Sequence, residues 1–410
     1  MRPIVIAVIC LCIPKFSSEY IVKPDYKVRQ AESYAVAEDA KLLVPELLKK
    51  YGYPCEIHNV TSKSGYNLVI HRVPYGKEGS TTNTRPAVYL QHGILSSSAD
   101  WVLNQNNGLL YSLLDAGYDV WMPNVRGTRY SRKHNTLDPD KNAKQFWDFS
   151  WHDIAVDDVP SMIDYIIDHV KQEKIFYIAH SQGTTLFYVM CSELPEYNKK
   201  IRVMFSMAPI AWMGSMTSPL MKLIAMADWI VGPFLELIGM YEFLPQNSFY
   251  ATIGDILCGD NSLLQPLCAN ALFAICGFNK EQMNETLIPT IMGHTPAGAA
   301  TKQLLHYAQL HNSGQFRKWD YGFFGNIDHY GTFTPPSYNL NKVTAPVYLH
   351  YSKNDWLSSI SDVTTLSRKL NNVVGKFTVP DHKFNHVDYL YGIDAYKLLY
   401  ARIISLMKRH

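Results

Sequence analysis

A buried strand that runs directly into a tight turn and a helix is the feature that most constrains the fold of this chain. The run Ile175–Ala179 is continuously apolar, which is typical of a parallel strand covered on both faces of a sheet. Ser181 follows, and small residues, Ala179 and Gly183, stand two positions to either side of it. Larger side chains at those two positions would collide in so tight a turn. The pattern therefore predicts a nucleophile elbow, with Ser181 at a sharp corner above the sheet and at the N-terminal end of a helix dipole.

Strands and helices alternate along most of the chain. The predicted strands are Leu68–Val73, Ala87–Gln91, Tyr118–Met122, Ile175–Ala179, Ile201–Ala208, Val347–Tyr351 and Lys376–Val379. The predicted helices are Asn106–Ala116, Asp153–Val170, Leu186–Leu194 and Asp394–Leu406. This alternation predicts an α/β fold with a mostly parallel sheet. It stops near Ala208 and resumes at Val347, so we expect an inserted helical cap and lid, residues 206–339, between two parts of the core, residues 19–205 and 340–410.

Two polar residues that follow later strands can complete a catalytic set with Ser181. A serine hydroxyl is a poor nucleophile until a general base takes its proton. Asp355 lies in the turn after Val347–Tyr351, and His386 lies in the loop after Lys376–Val379. The order serine, acid, histidine is that of α/β-hydrolases. We therefore predict a triad of Ser181, Asp355 and His386.

Other residues compete for two of these roles. Asp362 and Asp388 are alternatives for the acid, and His382 is an alternative for the base. Asp362 is expected to lie in the next helix, where a solvated carboxylate is the simpler interpretation. His382 stands only two residues after Pro380, too early in the loop, so His386 is the preferred base.

Backbone N–H groups must also stabilise the negative charge that develops on the reacting carbonyl oxygen. Gln182 comes directly after Ser181 and supplies one such N–H group. The loop after the strand Ala87–Gln91 is the expected source of the second, and Ile94 is the predicted donor. His92, in the same loop, is interpreted as a structural hydrogen-bonding residue.

Several motifs together resemble the acid lipase family, which includes gastric lipase, lysosomal acid lipase and many insect secreted lipases. The motifs are Leu90–Leu95 with Asp100-Trp101, Asn124–Gly127, Ala179–Thr185, Cys268–Phe273 with Cys276–Phe278, and Phe384–Asp388. The resemblance runs from about Tyr53 to near the C-terminus. It implies an α/β-hydrolase core with a helical cap and a lid. The family triad falls on Ser181, Asp355 and His386, and its oxyanion hole on the N–H groups of Ile94 and Gln182.

The resemblance also bears on the cysteines. It implies a cap disulfide between Cys258 and Cys268, which the short segment between these two residues also favours, and a free thiol at Cys276. The chain departs from the family in having Ala179 where glycine is usual, and in an additional Cys55, for which the sequence offers no explanation.

The N-terminus is typical of an exported protein. Arg2 precedes the apolar run Ile4–Ile13, so residues 1–18 are predicted to be a signal peptide. Asn59 and Asn284 each begin an Asn-x-Thr tripeptide, the acceptor pattern for N-glycosylation. We therefore expect a secreted, extracellular or lysosomal protein.

Charge, composition and the absence of metal-binding motifs limit the kinds of ligand and partner that are expected for this chain. The formal net charge is +2 and no basic block is present, so a nucleic-acid partner is not expected. No Cys-x-x-Cys pair or His-Glu-x-x-His helix is present, and the predicted chemistry needs no metal or organic cofactor. Aromatic residues make up 13% of the chain, and the segment Leu220–Met240 is strongly apolar, which suits a neutral lipid substrate and transient contact with a lipid droplet or membrane surface. The oligomeric state stays open.

These observations predict a serine ester hydrolase that cleaves acylglycerols or sterol esters through an acyl-enzyme on Ser181. The alternative from a different class is a non-catalytic lipid carrier on a lipase fold. A serine peptidase or thioesterase on the same core is a third possibility, against which the apolar cap argues.

Overall fold

The computed structural model describes residues 38–79, 84–226, 235, 237–244 and 275–410. The predicted signal peptide, both cysteines of the predicted cap disulfide (Cys258 and Cys268) and part of the segment Leu220–Met240 lie outside the described residues.

An eight-stranded sheet forms the centre of the molecule. Its strands are β1 Glu56–Thr61, β2 Asn67–Val73, β3 Ala87–Gln91, β4 Asp119–Asn124, β5 Ile175–His180, β6 Ile201–Met207, β9 Val347–Tyr351 and β10 Val373–Thr378. Their spatial order is β1-β2-β4-β3-β5-β6-β9-β10. β2 is antiparallel to both of its neighbours, and the other pairs in the sheet are parallel. The predicted mostly parallel sheet is confirmed, and the strand before Ser181 lies near its middle.

Helices precede and connect the strands. The α-helices are α1 Val44–Lys50, α2 Leu109–Asp115, α3 Ala143–Phe146, α4 Trp151–Asp153, α5 Val159–Val170, α6 Gln182–Glu193, α7 Pro219–Met226, α8 Ile288–His294, α9 Thr301–Ser313, α10 Gly322–Tyr330, α11 Ile360–Lys369, α12 Asp388–Tyr391 and α13 Ala401–Met407. The π-helical segments Ile154–Asp158 and Tyr396–Tyr400 lead into α5 and α13. Short 3-10 helices are Ser98–Trp101, Gln105–Asn107, Pro195–Lys200, Lys280–Gln282, Glu285–Leu287 and Leu340–Lys342.

Local sequence explains where several helices begin and end. Ser359 precedes α11, and its hydroxyl accepts a hydrogen bond from the N–H of Asp362 in the first turn. Gly314 ends α9 with a φ of 62°, in the left-handed region that glycine adopts without steric cost. Pro160, which has no N–H group, stands directly after the π-helical segment Ile154–Asp158, where the helical hydrogen-bond pattern is irregular.

The sheet carries an apolar cluster on each face. In β5, Tyr177 and Ala179 belong to one cluster, whereas Phe176 and Ile178 belong to the other. Successive side chains of a strand point to opposite faces, so β5 is buried on both sides. The continuous apolar run in the sequence reflects this double burial.

The region between β6 and β9 contains α7 to α10 and a second, two-stranded sheet. In that sheet, β7 Glu242–Phe243 pairs antiparallel with β8 Ala299–Ala300. The described part of this region therefore contains four α-helices and one short strand pair. β6 ends at Met207, one residue beyond the expected start of the cap at residue 206. No helix in the described part of the chain has the length and apolar character needed to cross a membrane.

Candidate active site

Ser181 lies at a strained turn between β5 and α6. Its φ of 53° and ψ of −123° fall outside the regions that a non-glycine residue normally adopts. Such strain persists only where the surrounding structure enforces it, and it concentrates at functional sites. The Ser181 N–H group donates to the carbonyl oxygen of Met207 at 3.1 Å, which ties the turn to the end of β6.

Gly183 allows α6 to approach the loop after β3. A Cβ atom at this position would lie 2.7 Å from the carbonyl oxygen of Gln91 and 2.9 Å from that of His92. Gly93, in that loop, also lies close to Ser181, because a Cβ atom there would be 3.1 Å from the Ser181 Cβ. Gly183 and Gly93 therefore let helix α6 and the loop after β3 approach each other closely at Ser181.

The predicted triad residues form one hydrogen-bonded chain. His386 Nε2 lies 2.8 Å from Ser181 Oγ, and His386 Nδ1 lies 2.8 Å from Asp355 Oδ2. All three side chains are buried. The second carboxylate oxygen of Asp355 accepts the N–H groups of Leu357 and Ser358 at 2.9 and 2.8 Å. The Asp355 carboxylate is thus fixed in place, with its Oδ2 atom facing the imidazole of His386. The Nε2 atom of His386 in turn faces the serine.

The alternative residues are engaged elsewhere. Asp362 accepts the Ser215 N–H group at 3.0 Å in the first turn of α11. Asp388 accepts the Asn385 N–H group at 2.8 Å and the Asn279 side chain at 2.7 Å. His382 is exposed to solvent. The structure brings Asp355 and His386, rather than these residues, to Ser181.

The loop that carries His386 is held by backbone contacts. The His386 N–H group donates to the carbonyl oxygen of Cys276 at 3.2 Å. The Asn385 side chain donates to the carbonyl oxygen of Gly277 at 2.9 Å and accepts the N–H groups of Val387 and Asp388. The segment around Cys276, which lies between β6 and β9 in the chain, therefore supports the loop that carries His386.

His92 fixes the peptide group between Gly93 and Ile94. Its Nε2 accepts the Val125 N–H group at 3.3 Å, so Nδ1 carries the proton and donates to the Gly93 carbonyl oxygen at 2.7 Å. Burial lowers the pKa of His92 to about 4, and the ring stays neutral. In a trans peptide the C=O and N–H groups point in opposite directions. His92 therefore directs the Ile94 N–H group away from its own ring, and the structural role expected for His92 matches these contacts.

His180 is a site residue that the sequence did not identify. Its Nε2 donates to the His386 carbonyl oxygen at 2.8 Å, and the centroids of the two rings are 4.7 Å apart. His180 Nδ1 is buried and has no partner among the described residues. The only sequence signal was its position beside Ser181, since the contact partner lies far along the chain.

Two buried carboxyl groups near the site have displaced pKa values. Burial raises the pKa of Asp388 to about 7, against hydrogen bonds from Asn385 and Asn279 that lower it. Burial likewise raises the pKa of Asp100 to about 6, and this carboxyl accepts the Tyr391 hydroxyl at 2.8 Å. Both groups therefore titrate in a range where an ordinary aspartate is already ionised.

A group of potential metal ligands lies away from this site, at the edge of the sheet. One ligand atom each of Glu56, His58 and His169 lie within 4.8 Å of one another. The Arg72 guanidinium donates to Glu56 at 2.8 Å and lies 3.2 Å from His169 Nε2, so a cation already stands among them. The arrangement fits an ion-pair cluster better than a metal site.

Comparison with known protein families finds two matching regions. Residues 44–105 match the partial alpha/beta-hydrolase lipase region, and residues 86–392 match the alpha/beta hydrolase fold.

Curated relatives match most of the chain. "Lipase 3" of Drosophila melanogaster is 41% identical over 366 residues, which cover 89% of this chain and 92% of that protein. The human lysosomal acid lipase/cholesteryl ester hydrolase is 36% identical, with 92% of this chain and 93% of that protein covered. The gastric triacylglycerol lipase of Rattus norvegicus is 37% identical, with 90% and 92% covered.

Among solved structures, a lipase candidate from Sulfolobus solfataricus superposes with a TM-score of 0.54 at 12% identity. The superposition covers 84% of this chain and 90% of that chain. A likeness at this identity shows a shared fold.

Proposed function

The chain belongs to the acid lipase family of α/β-hydrolases and is a carboxylic ester hydrolase, and from this premise we propose that it cleaves neutral lipid esters with Ser181, His386 and Asp355 as the catalytic triad. The observation that carries this proposal is the chain of two 2.8 Å contacts from Ser181 through His386 to Asp355, at the strained turn that holds the serine.

The proposed reaction begins with attack of Ser181 Oγ on the ester carbonyl carbon. His386 Nε2 takes the hydroxyl proton, and Asp355 stabilises the resulting imidazolium. The negative charge on the carbonyl oxygen is stabilised by the N–H groups of Ile94 and Gln182. The C–O bond to the alcohol then breaks, His386 gives its proton to the leaving alcohol, and the acyl group stays on Ser181. A water molecule then attacks the acyl carbon while His386 takes its proton. The bond to Ser181 Oγ breaks, His386 returns the proton to Oγ, and the fatty acid leaves.

The donors of the proposed oxyanion hole are supported by local structure. Gln182 is the first residue of α6, where backbone N–H groups have no partner within the helix. The peptide group that contains the Ile94 N–H is oriented by His92, and Gly93 lies beside Ser181.

A lipid substrate is supported by the named relatives and by exposed apolar side chains. One relative is a cholesteryl ester hydrolase by name, and another is a triacylglycerol lipase by name. Within the region proposed as the cap and lid, residues 206–339, Met226 is 76% exposed and Leu237 is 83% exposed. Exposed apolar side chains of this size are typical of surfaces that contact other molecules. We propose that they contact a lipid droplet or membrane surface transiently.

A secreted or lysosomal location is proposed on the sequence of the N-terminus and on the relatives. Asn59 lies exposed on the edge strand β1 and is open to glycosylation. Asn284 is half-buried, and its side chain accepts the Thr286 N–H group. In the described residues Cys55, Cys191 and Cys276 are free. The proposed disulfide between Cys258 and Cys268 rests on the family resemblance and on the short segment between them.

The test is covalent labelling with a fluorophosphonate, followed by mass spectrometry of the modified peptide, beside an assay of fatty acid release from triolein. We expect Ser181 to carry the label, and Ser181→Ala to lose both label and fatty acid release. Ser405→Ala, at an exposed position of α13, is the matched control and should retain both. Failure of Ser181 to react in folded protein, with detergent present, would favour the lipid carrier instead.

A further inference from the structure

Helix α10 carries a group of exposed apolar side chains that the proposed reaction does not use. Phe323 is 57% exposed, Phe324 is 79% exposed, and Phe333, just after the helix, is 62% exposed. Ile327 is 38% exposed, and Asn326 is the one buried residue of the helix. We call Phe323, Phe324, Ile327 and Phe333 the α10 surface. Single exposed apolar residues are ordinary, whereas a group of this kind marks a surface that contacts another molecule.

The members of the α10 surface lie side by side. Phe323 stacks on Phe333, with ring centroids 4.7 Å apart, and meets Phe324 edge to face at 5.2 Å. Ile327 follows Phe323 by four residues and Phe324 by three, so these three side chains share one face of the helix. Three aromatic rings and one aliphatic side chain therefore form a single apolar patch.

Polar contacts behind the α10 surface hold it in a fixed arrangement. The buried Asn326 side chain donates to the carbonyl oxygen of Phe333 at 3.1 Å and to the Asp320 carboxylate at 2.8 Å. The same side chain accepts the Tyr321 N–H group at 3.0 Å. One amide group therefore joins the start of α10 to the segment after it and keeps Phe333 beside the helix.

The turn before α10 is joined to the catalytic core through α9. The Gln309 side chain, on α9, accepts the Asp320 N–H group at 2.8 Å and donates to the Asp320 carbonyl oxygen at 3.1 Å. On the same helix the Tyr307 hydroxyl lies 3.0 Å from Thr185 Oγ1 in α6. Helix α6 begins directly after Ser181. A molecule bound to the α10 surface is therefore connected through one helix to the element that follows the proposed nucleophile.

The charges around the α10 surface indicate the kind of partner. The segment 321–336 contains no lysine, arginine or glutamate, and it has a single aspartate and a single histidine. The two cations just before it are already paired, since Arg317 binds Asp320 at 2.7 Å and Lys318 binds Glu193 at 2.6 Å. Anionic membranes attract clusters of lysine and arginine, which this surface lacks. An uncharged lipid surface requires only apolar side chains, and aromatic rings bury a large apolar area each.

We infer that the α10 surface inserts into an uncharged lipid surface and holds the protein there. The inference rests on the proposed function, because neutral lipid esters are insoluble and are reached at the surface of a droplet or film. It adds to that function the residues that bind the surface and the charge class of the lipid. This contact is additional to the one proposed for Met226 and Leu237, which lie in a different segment of the cap.

The test is binding to vesicles of dioleoylphosphatidylcholine, measured by sedimentation of the vesicles with the bound protein. Phe323→Ser and Phe324→Ser should each raise the apparent Kd roughly tenfold, because each removes an apolar side chain that enters the lipid. Ile57→Ser is the matched control, since Ile57 is 56% exposed on the edge strand β1, and it should keep the wild-type Kd. An unchanged Kd in the double variant Phe323→Ser/Phe324→Ser, or no binding of the wild-type protein, overturns the inference.

Other occupants of the α10 surface would give different results. Tighter binding to vesicles of dioleoylphosphatidylserine that high salt abolishes would make the partner an anionic membrane and overturn the inference. A wild-type dimer that becomes monomeric in the double variant, measured by sedimentation velocity without lipid, would make the occupant a second copy of this chain and would also overturn it.

Hydrolysis of p-nitrophenyl butyrate, a soluble ester, separates this inference from the proposed function. If the wild-type protein and the double variant both hydrolyse this ester and also bind the vesicles equally, the α10 surface alone is wrong. If the wild-type protein hydrolyses no ester, the proposed function is contradicted instead.

Discussion

The imidazole of His180 donates a hydrogen bond from Nε2 to the backbone carbonyl oxygen of His386, 2.8 Å away. The residue before the proposed nucleophile therefore holds the backbone of the proposed base. Burial, together with the nearby His386, lowers the pKa of His180 well below its usual value. His180 thus stays neutral and positions the base without placing a second charge beside it.

Removing this contact should slow the reaction more than it weakens substrate binding. We expect His180→Leu to lower kcat by about tenfold to a hundredfold with little change in KM, because small displacements of a catalytic group are costly. His180→Gln retains a donor and should recover part of the loss. Steady-state kinetics on p-nitrophenyl butyrate gives both constants, and a raised KM at unchanged kcat would contradict the positioning role.

The sequence predicted the residues of the site better than the contacts that hold them. Ser181, Asp355 and His386 each follow a predicted strand, and parallel strands bring such loops to one edge of the sheet. His92 and His180 form hydrogen bonds with backbone groups, among them groups in distant segments of the chain. No local sequence pattern predicts these bonds. The role of His180 could therefore be found only in three dimensions.

Two elements of the structure differ from the secondary structure predicted from the sequence, and each difference has a physical reason. Helix α6 begins at Gln182, four residues before the predicted start at Leu186, because the strained Ser181 and not a capping side chain marks its beginning. The strand Glu56–Thr61 was not predicted. It lies at the edge of the sheet with most of its side chains exposed or half-buried, so it lacks the apolar pattern of a buried strand.

A methyl group at position 183 should disturb both stability and catalysis. In Gly183→Ala the new Cβ would lie 2.7 Å from the Gln91 carbonyl oxygen, and backbone cannot move aside as a flexible side chain can. We expect a loss of about 1–3 kcal/mol in the free energy of unfolding, as for other overpacked sites. Urea denaturation measures this loss, and kcat should fall as well because the displaced loop carries Ile94. Gly76→Ala, where a Cβ meets no atom within 4 Å, should change the unfolding free energy by less than about 0.5 kcal/mol.

The contribution of Asp388 to stability should decrease as the pH rises from about 4 to about 7. Asp388 has a pKa of about 7 in the folded protein, above its ordinary value of 3.8, so the folded state holds this proton more tightly than the unfolded state. The resulting stabilisation is fully present below pH 3.8 and is lost as the pH passes through 7. One such proton gives a slope of at most about 1.4 kcal/mol per pH unit.

The variant Asp388→Asn keeps an acceptor for Asn385 and removes the titration, so the unfolding free energy of the wild type relative to that of the variant should fall as the pH rises through this window. Both proteins keep a further negative slope from Asp100, whose pKa is about 6, and a positive slope from buried histidines such as His92, whose pKa burial lowers to about 4. Asp328→Asn, an exposed carboxyl on α10, serves as the control and should leave the slope unchanged. Denaturant titrations at several pH values would show this, and equal slopes for wild type and Asp388→Asn would contradict the assignment.

Contact with a lipid surface should depend on the exposed side chains of the proposed cap. Met226 and Leu237 are 76% and 83% exposed, and transfer of one such side chain from water into lipid is favourable by about 1.5–3 kcal/mol. Met226→Ser and Leu237→Ser should each weaken adsorption to a triolein emulsion by roughly tenfold, measured by centrifugal depletion of the protein from solution. Phe324→Ser is the informative comparison, because Phe324 is 79% exposed on α10, outside the segment Leu220–Met240. If Phe324→Ser alone weakens adsorption, the lipid-binding surface lies on α10 and the proposed role of Met226 and Leu237 is wrong.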